Sequence, residues 1–156
     1  MLFSYAPVEV ASATTGEIET YWRPIIPLVI HGEADIVLCS ALVDSGADIS
    51  LIPKSIAESL GLKLQPCHGP SPVAFGGGEI KTYSTEAVLQ VSDGTEDVAW
   101  LARLLMFEAD RSHEQNAILG HVGFFEFFRT TFDSRLNQLE LQPSPQAKFI
   151  ELDDDV

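Results

Sequence analysis

A chain of 156 residues, 46% hydrophobic and 21% charged, is long enough to bury a core as one domain without disulfide or metal staples. Nine Lys+Arg against 23 Asp+Glu leave a formal net charge of −14, which argues against a nucleic-acid partner and against anionic membrane surfaces. The start, Met1 to Pro7, lacks the basic and apolar regions of a signal peptide, and no run approaches the roughly 18 apolar residues that span a bilayer. A soluble, cytoplasmic chain is the expectation.

Val, Ile and Thr runs broken by Gly, Asp and Pro predict mostly β structure with one or two short helices. Residues 1–22 read as an N-terminal extension. Residues 23–30 form an opening strand whose prolines suit a strand start or edge, and 31–35 turn into a second strand, 36–43. Cys39 lies at the end of the apolar run Ile36-Val37-Leu38, so it reads as a small buried hydrophobe rather than a reactive thiol. The acidic turn Asp44-Ser45-Gly46-Ala47-Asp48 follows, then a short buried strand, 49–52, stopped by Pro53. Residues 55–61 predict a short helix with Gly61 as its C-terminal stop. Beyond a loop at 66–72, Val73-Ala74-Phe75 and Glu79 to Tyr83 flank Gly76-Gly77-Gly78, a hairpin with a side-chain-free tip.

Strands at 85–91 and 97–108 are joined by the turn Ser92-Asp93-Gly94-Thr95. A polar loop at 110–115 leads to the brief apolar strand Ala117-Ile118-Leu119-Gly120. Residues 121–129 predict a largely buried helix, because Phe124, Phe125, Phe127 and Phe128 fall on more than one side. A closing strand, 136–141, precedes an acidic C-terminal tail, 143–156, with a further strand at 148–152. His31, His68 and His113 lie in loops without metal-ligand spacing, so neither a metal nor another cofactor is expected.

Asp44-Ser45-Gly46-Ala47, preceded by Leu42-Val43 and followed by Ile49-Ser50-Leu51-Ile52, resembles the Asp-[Ser/Thr]-Gly-Ala signature of aspartic peptidases. Ile118-Leu119-Gly120 resembles the second half of that signature, and the Gly76-Gly77-Gly78 hairpin falls where the family places its flap. Residues 23–142 are therefore identified as similar to one retropepsin-like subunit, a single-lobe acid protease barrel. The resemblance implies that Asp44 is catalytic and that Ser45 hydrogen-bonds towards a partner loop. It also implies that Gly46, Ala47 and Asp48 meet substrate backbone. Phe75 with Gly76, Gly77 and Gly78 would form a lid, although a plain hairpin turn fits the same residues.

Metal-free peptide hydrolysis needs one carboxylate to take a proton from water and another to polarise the carbonyl. Two carboxylates held a few Å apart do both, since like charges resist simultaneous ionisation and share one proton. The chain has one such turn: Asp93-Gly94-Thr95 and Asp133-Ser134-Arg135 both fail the pattern. The expectation is a homodimer with one Asp44 from each subunit, acting as an aspartic endopeptidase on peptide substrates. The alternative is a non-catalytic dimerisation or peptide-binding module of the same fold.

Two features depart from the retroviral pattern. His121 stands where those enzymes carry arginine. It either pairs with Asp48, which would favour the dimer at acidic pH, or caps the following helix or faces solvent. The Phe124 to Phe128 aromatics serve either as core or as part of a dimer seam.

Overall fold

The computed structural model describes residues 1–67, 82–107 and 117–152. Strands begin well before residue 23. β1 (Leu2–Ser4) is followed by a hairpin of β2 (Ala6–Ala11) and β3 (Ile18–Arg23), then by β4 (Ile25–His31) and β5 (Ile36–Val43). After the acidic turn come β6 (Leu51–Pro53), helix α1 (Lys54–Ser59) and the short β7 (Gln65–Pro66). The long strands β8 (Thr82–Ser92) and β9 (Asp97–Phe107) precede β10 (Ala117–Leu119), β11 (Phe128–Asp133) and β12 (Gln138–Pro143).

β4, β5, β10, β6, β9 and β8 hydrogen-bond in that order, and pairing of Val29 with Gln90 and Ile30 with Leu89 joins β4 back to β8. The result is a closed barrel, which leaves no free edge around its circumference. β10 runs parallel to β5 and β6 parallel to β9, while the other joins are antiparallel. Alternation explains which faces point in. Ile26, Leu28 and Ile30 of β4 are buried while Pro27 faces out, and Ala87, Leu89 and Val91 do the same along β8. The expected all-β barrel, one lobe per chain, is what the chain forms, with one short helix among the described residues. No helix among the described residues is long and apolar enough to cross a membrane.

Pro53 ends β6 and stands at the N-cap of α1, where its φ of −62° fits and no amide is required. The last turn closes through Gly61 N–H to the Glu58 carbonyl and Leu62 N–H to the Ala57 carbonyl, which seats Ala57 and Leu60 in the core. The helix thus starts one residue before the predicted span and ends at Ser59, with Leu60 as its C-cap and the predicted stop, Gly61, left-handed just beyond.

Residues 121–129 do not form the predicted helix. Gly123 sits at φ +93°, a left-handed conformation that interrupts an α-helix. Its amide donates to the Glu126 carboxylate at 2.8 Å, and its carbonyl accepts the Trp100 indole N–H, also at 2.8 Å. The aromatic spacing serves a string of turns that wraps Trp100 instead. Phe128 meets Trp100 edge-on with centroids 4.9 Å apart, and Phe124 lies 5.0 Å from Phe128. Phe124 and Phe128 are buried and Phe125 and Phe127 half-buried, so this cluster is core.

The N-terminal residues divide in two. Phe3 and Tyr5 are buried in the barrel core, and β1 pairs with β12 of its own chain, Phe3 opposite Leu139. The β2–β3 hairpin pairs with no other described strand. Near the other end, residues 148–152 make one bridge, Ile150 to Ala99, rather than a strand.

Asp93 fastens β1 to the β8–β9 turn. Its carboxylate accepts bonds from the Thr95 hydroxyl and amide, the Glu96 amide and the Leu2 amide. These bonds, the Thr95 hydroxyl first, hold its pKa well below the ordinary 3.8. A depressed carboxylate pKa stabilises the fold above the unfolded value, and that contribution fades as pH falls below it. Asp93→Ala is therefore expected to lower the melting temperature by a few degrees near neutral pH, with the gap to wild type closing below about pH 3.8. Thermal scans across that range check it. An unchanging gap would mean the carboxylate charge is not responsible.

Candidate active site

Asp44, Ala47 and Asp48 of the acidic turn are fixed by main-chain bonds to a segment distant in sequence. The parallel register of β10 on β5 places Leu119 beside Val43, and the Asp44 amide donates to the Leu119 carbonyl at 3.0 Å. On its other side the Val43 amide donates to the Pro24 carbonyl at 2.9 Å. Asp44 thus leaves the barrel wall at a point clamped by two neighbours. The Ala47 amide then closes a tight turn onto the Asp44 carbonyl at 3.1 Å, and the Gly46 amide donates to Asp44 Oδ1 at 2.9 Å. That second bond orients the carboxyl and leaves its other oxygen available. Asp44 is half-buried, Ala47 likewise, and Ser45, Gly46 and Asp48 are exposed.

The segment after β10 runs along the same turn. The His121 amide bonds the Ala47 carbonyl and the Val122 amide bonds the Asp48 carbonyl, both at 2.9 Å. Ser50 returns the interaction: its amide reaches the Val122 carbonyl, and its buried hydroxyl accepts the Gly120 amide at 3.0 Å. A side chain at Gly120 would place its Cβ 2.5 Å from the Ala47 carbonyl oxygen and 2.9 Å from the Ile49 carbonyl carbon. Only glycine permits this approach. Ile118, Leu119 and Gly120 are therefore backing for the turn.

His121 is brought to the turn, but to Ser45 rather than to Asp48. Its Nε2 lies 3.1 Å from the Ser45 carbonyl oxygen and its ring lies against Phe125, centroids 5.2 Å apart. A carbonyl can only accept, so Nε2 carries the proton, which both the neutral and the charged imidazole can supply. Among the described residues His121 makes no ion pair with Asp48. Acid-dependent strengthening through such a pair has no geometric basis within one chain. Phe75, Gly76, Gly77 and Gly78, expected as the lid, lie outside the described residues.

Sequence reasoning did not single out Ser50, Gly123 or Trp100. A hydroxyl inside the apolar run Ile49 to Ile52 was the one available signal for Ser50. Beside Asp44 and Ser45 lies an open cavity of about 450 Å³ whose walls include Trp22, Arg23, Phe132 and Ser134. A larger groove of about 830 Å³, lined by Glu33, Lys63, Glu86 and Arg103 among others, contains none of the expected site residues. Among the described residues no three His, Cys, Asp or Glu side chains converge as metal ligands. Burial pushes the Cys39 thiol up to about 11, which removes it as a nucleophile near neutral pH.

A one-lobe closed barrel presenting a single Asp-Ser-Gly-Ala turn, braced by an Ile-Leu-Gly strand, defines the acid-protease class of fold. The chain belongs to the aspartyl protease family, whose model matches residues 26–120. Two solved structures are similar to it. The EIAV protease complexed with the inhibitor HBY-793 is 20% identical, covering 70% of this chain and 88% of that one, with a TM-score of 0.46. The retroviral protease-like domain of Ddi1 from Leishmania major is 18% identical, covering 86% and 98%, also with a TM-score of 0.46. No curated protein sequence matches the chain.

Proposed function

We propose that this chain is one subunit of a homodimeric aspartic endopeptidase in which Asp44 of each copy supplies one carboxylate. The observation that carries it is the bracing of Asp44. Its amide, its carbonyl and Oδ1 each have a fixed partner, yet the carboxyl remains partly exposed beside an open cavity. A turn kept only for folding would have no need of a carboxylate so placed.

In the paired site one carboxylate is ionised and the other protonated. The ionised group takes a proton from water as the water oxygen attacks the peptide carbonyl carbon. The protonated group hydrogen-bonds the carbonyl oxygen and carries it to the hydroxyl of a gem-diol. Collapse of that intermediate breaks the C–N bond: the leaving nitrogen takes the proton from the carboxyl that gained one from water, and a gem-diol hydroxyl returns its proton to the other carboxylate, which restores the starting pair. Gly46, Ala47 and Asp48, around the carboxyl, are the groups that meet an extended peptide backbone.

The test is incubation of wild type and Asp44→Ala with an unstructured peptide library from acidic to neutral pH, scoring new termini by mass spectrometry. Cleavage by wild type and at least about a thousandfold less by the variant is expected, since the variant lacks both the base and the acid. Equal silence from both proteins would assign the turn to a peptide-binding or dimerisation module.

A further inference from the structure

The β2–β3 hairpin is built like an arm. Its register pairs Pro7 with Trp22, Val8 with Tyr21 and Ala11 with Ile18, and cross-strand partners share a face. Trp22 and Ile18 therefore lie on one face, with Val8, Val10 and Tyr21 on the other. Both faces carry apolar groups that stay largely open among the described residues: Ile18 is 65% exposed, Trp22 52%, Tyr21 46% and Val10 40%, while Val8 is half-buried. A lone two-stranded hairpin is marginal in water, so an ordered arm with two largely open apolar faces calls for a partner surface. The charge of each chain, −14, leaves apolar contact as the means by which two copies would adhere.

The position of its root identifies that partner. Tyr5 N–H is bonded to the Asn137 carbonyl, and Pro24, just beyond β3, holds the Val43 amide next to Asp44. Trp22 and Arg23 wall the same cavity as Asp44 and Ser45. The arm thus springs from the rim of a half-site that is incomplete without a second chain. β1 is meanwhile paired along one side with β12 of its own chain. We propose that the β2–β3 arm is the surface that grips a second copy of this chain, laying its apolar faces across the partner beside the paired carboxylates. The proposal rests on the two-carboxylate reading above.

The test compares dimer dissociation constants by sedimentation equilibrium for wild type and for Val10→Ser with Ile18→Ser, both outside the core and away from the cavity. Circular dichroism monitors the barrel. The expected result is a dimer weakened roughly tenfold or more in the variant. Hydrogen exchange on wild type supplies a second readout that needs no variant. Amides of Ala6–Ala11 and Ile18–Arg23 should gain protection as chain concentration rises. An unchanged dimer constant, with arm amides indifferent to concentration, overturns the arm while leaving the paired site intact. A strict monomer that still cleaves peptide overturns both. Arm protection that follows added peptide instead of chain concentration assigns the hairpin to substrate and also overturns the proposal.

Discussion

Mixing wild-type chains with Asp44→Asn chains is expected to reduce cleavage to about a quarter at equal amounts, because randomly exchanged subunits form all-wild-type dimers a quarter of the time. The mixed dimer holds a single carboxylate, which cannot be ionised base and protonated acid at once. Asparagine is the informative replacement because its Oδ1 can still accept the Gly46 amide, so the turn keeps the bond seen at 2.9 Å. The exposed position of the turn means that neither the core nor the barrel closure is disturbed. Initial rates measured at fixed total chain, after time for exchange, should fall as the square of the wild-type fraction. A straight-line fall to one half would show that each chain acts alone and would remove the paired mechanism.

Gly120→Ala should be the most damaging single methyl at the acidic turn. The added carbon would meet main-chain atoms of residues 47 and 49 at 2.5 and 2.9 Å, and main chain cannot rotate away as a side chain can. Relief requires β10 and the turn to part, which strains the Asp44–Leu119, His121–Ala47 and Gly120–Ser50 hydrogen bonds together. Overpacking of a rigid site costs about 3 kcal/mol, a large share of a domain's stability. Urea denaturation checks the loss, and cleavage should fall with it even under conditions where the variant is folded. A variant within about 0.5 kcal/mol of wild type would mean that the clamp on the turn is soft.

What could be read along the chain was whatever depended on neighbours in sequence. Asp44 to Asp48 declares itself through turn residues gripped between apolar runs, and the apolar runs of β4 and β5 and the partial alternation of β8 read directly as strand. Gly61 stops α1 for a local reason as well. The misreadings occurred where distant partners decide. The spacing of Phe124 to Phe128 suits a buried helix, but Trp100, from another strand, claims the Gly123 carbonyl and with Gly123 breaks it. β11 was hidden by the same error. The β2–β3 hairpin carries alternation and a Thr14-Thr15-Gly16 turn, yet it buries no face in the barrel, so its pattern pointed to no core. For His121 the resemblance leaves two readings open, pairing with Asp48 or a cap or solvent-facing position, and the main-chain bonds of residues 121 and 122 to 47 and 48 aim its exposed ring at the Ser45 carbonyl.

By itself the sequence determined an acidic, mostly β domain with one carboxylate turn and an Ile-Leu-Gly companion, because turn chemistry and strand alternation are properties of short segments. Only the tertiary structure decided how the two meet: parallel pairing of β10 with β5, a buried Ser50 hydroxyl on the Gly120 amide, and room for no side chain between them. It also decided that the N-terminal hairpin stands beside Asp44 with Ile18 and Trp22 more than half exposed. Hydrogen bonds between residues far apart in the chain depend on which strands the closed barrel makes adjacent, and adjacency of that kind is set by the whole chain at once.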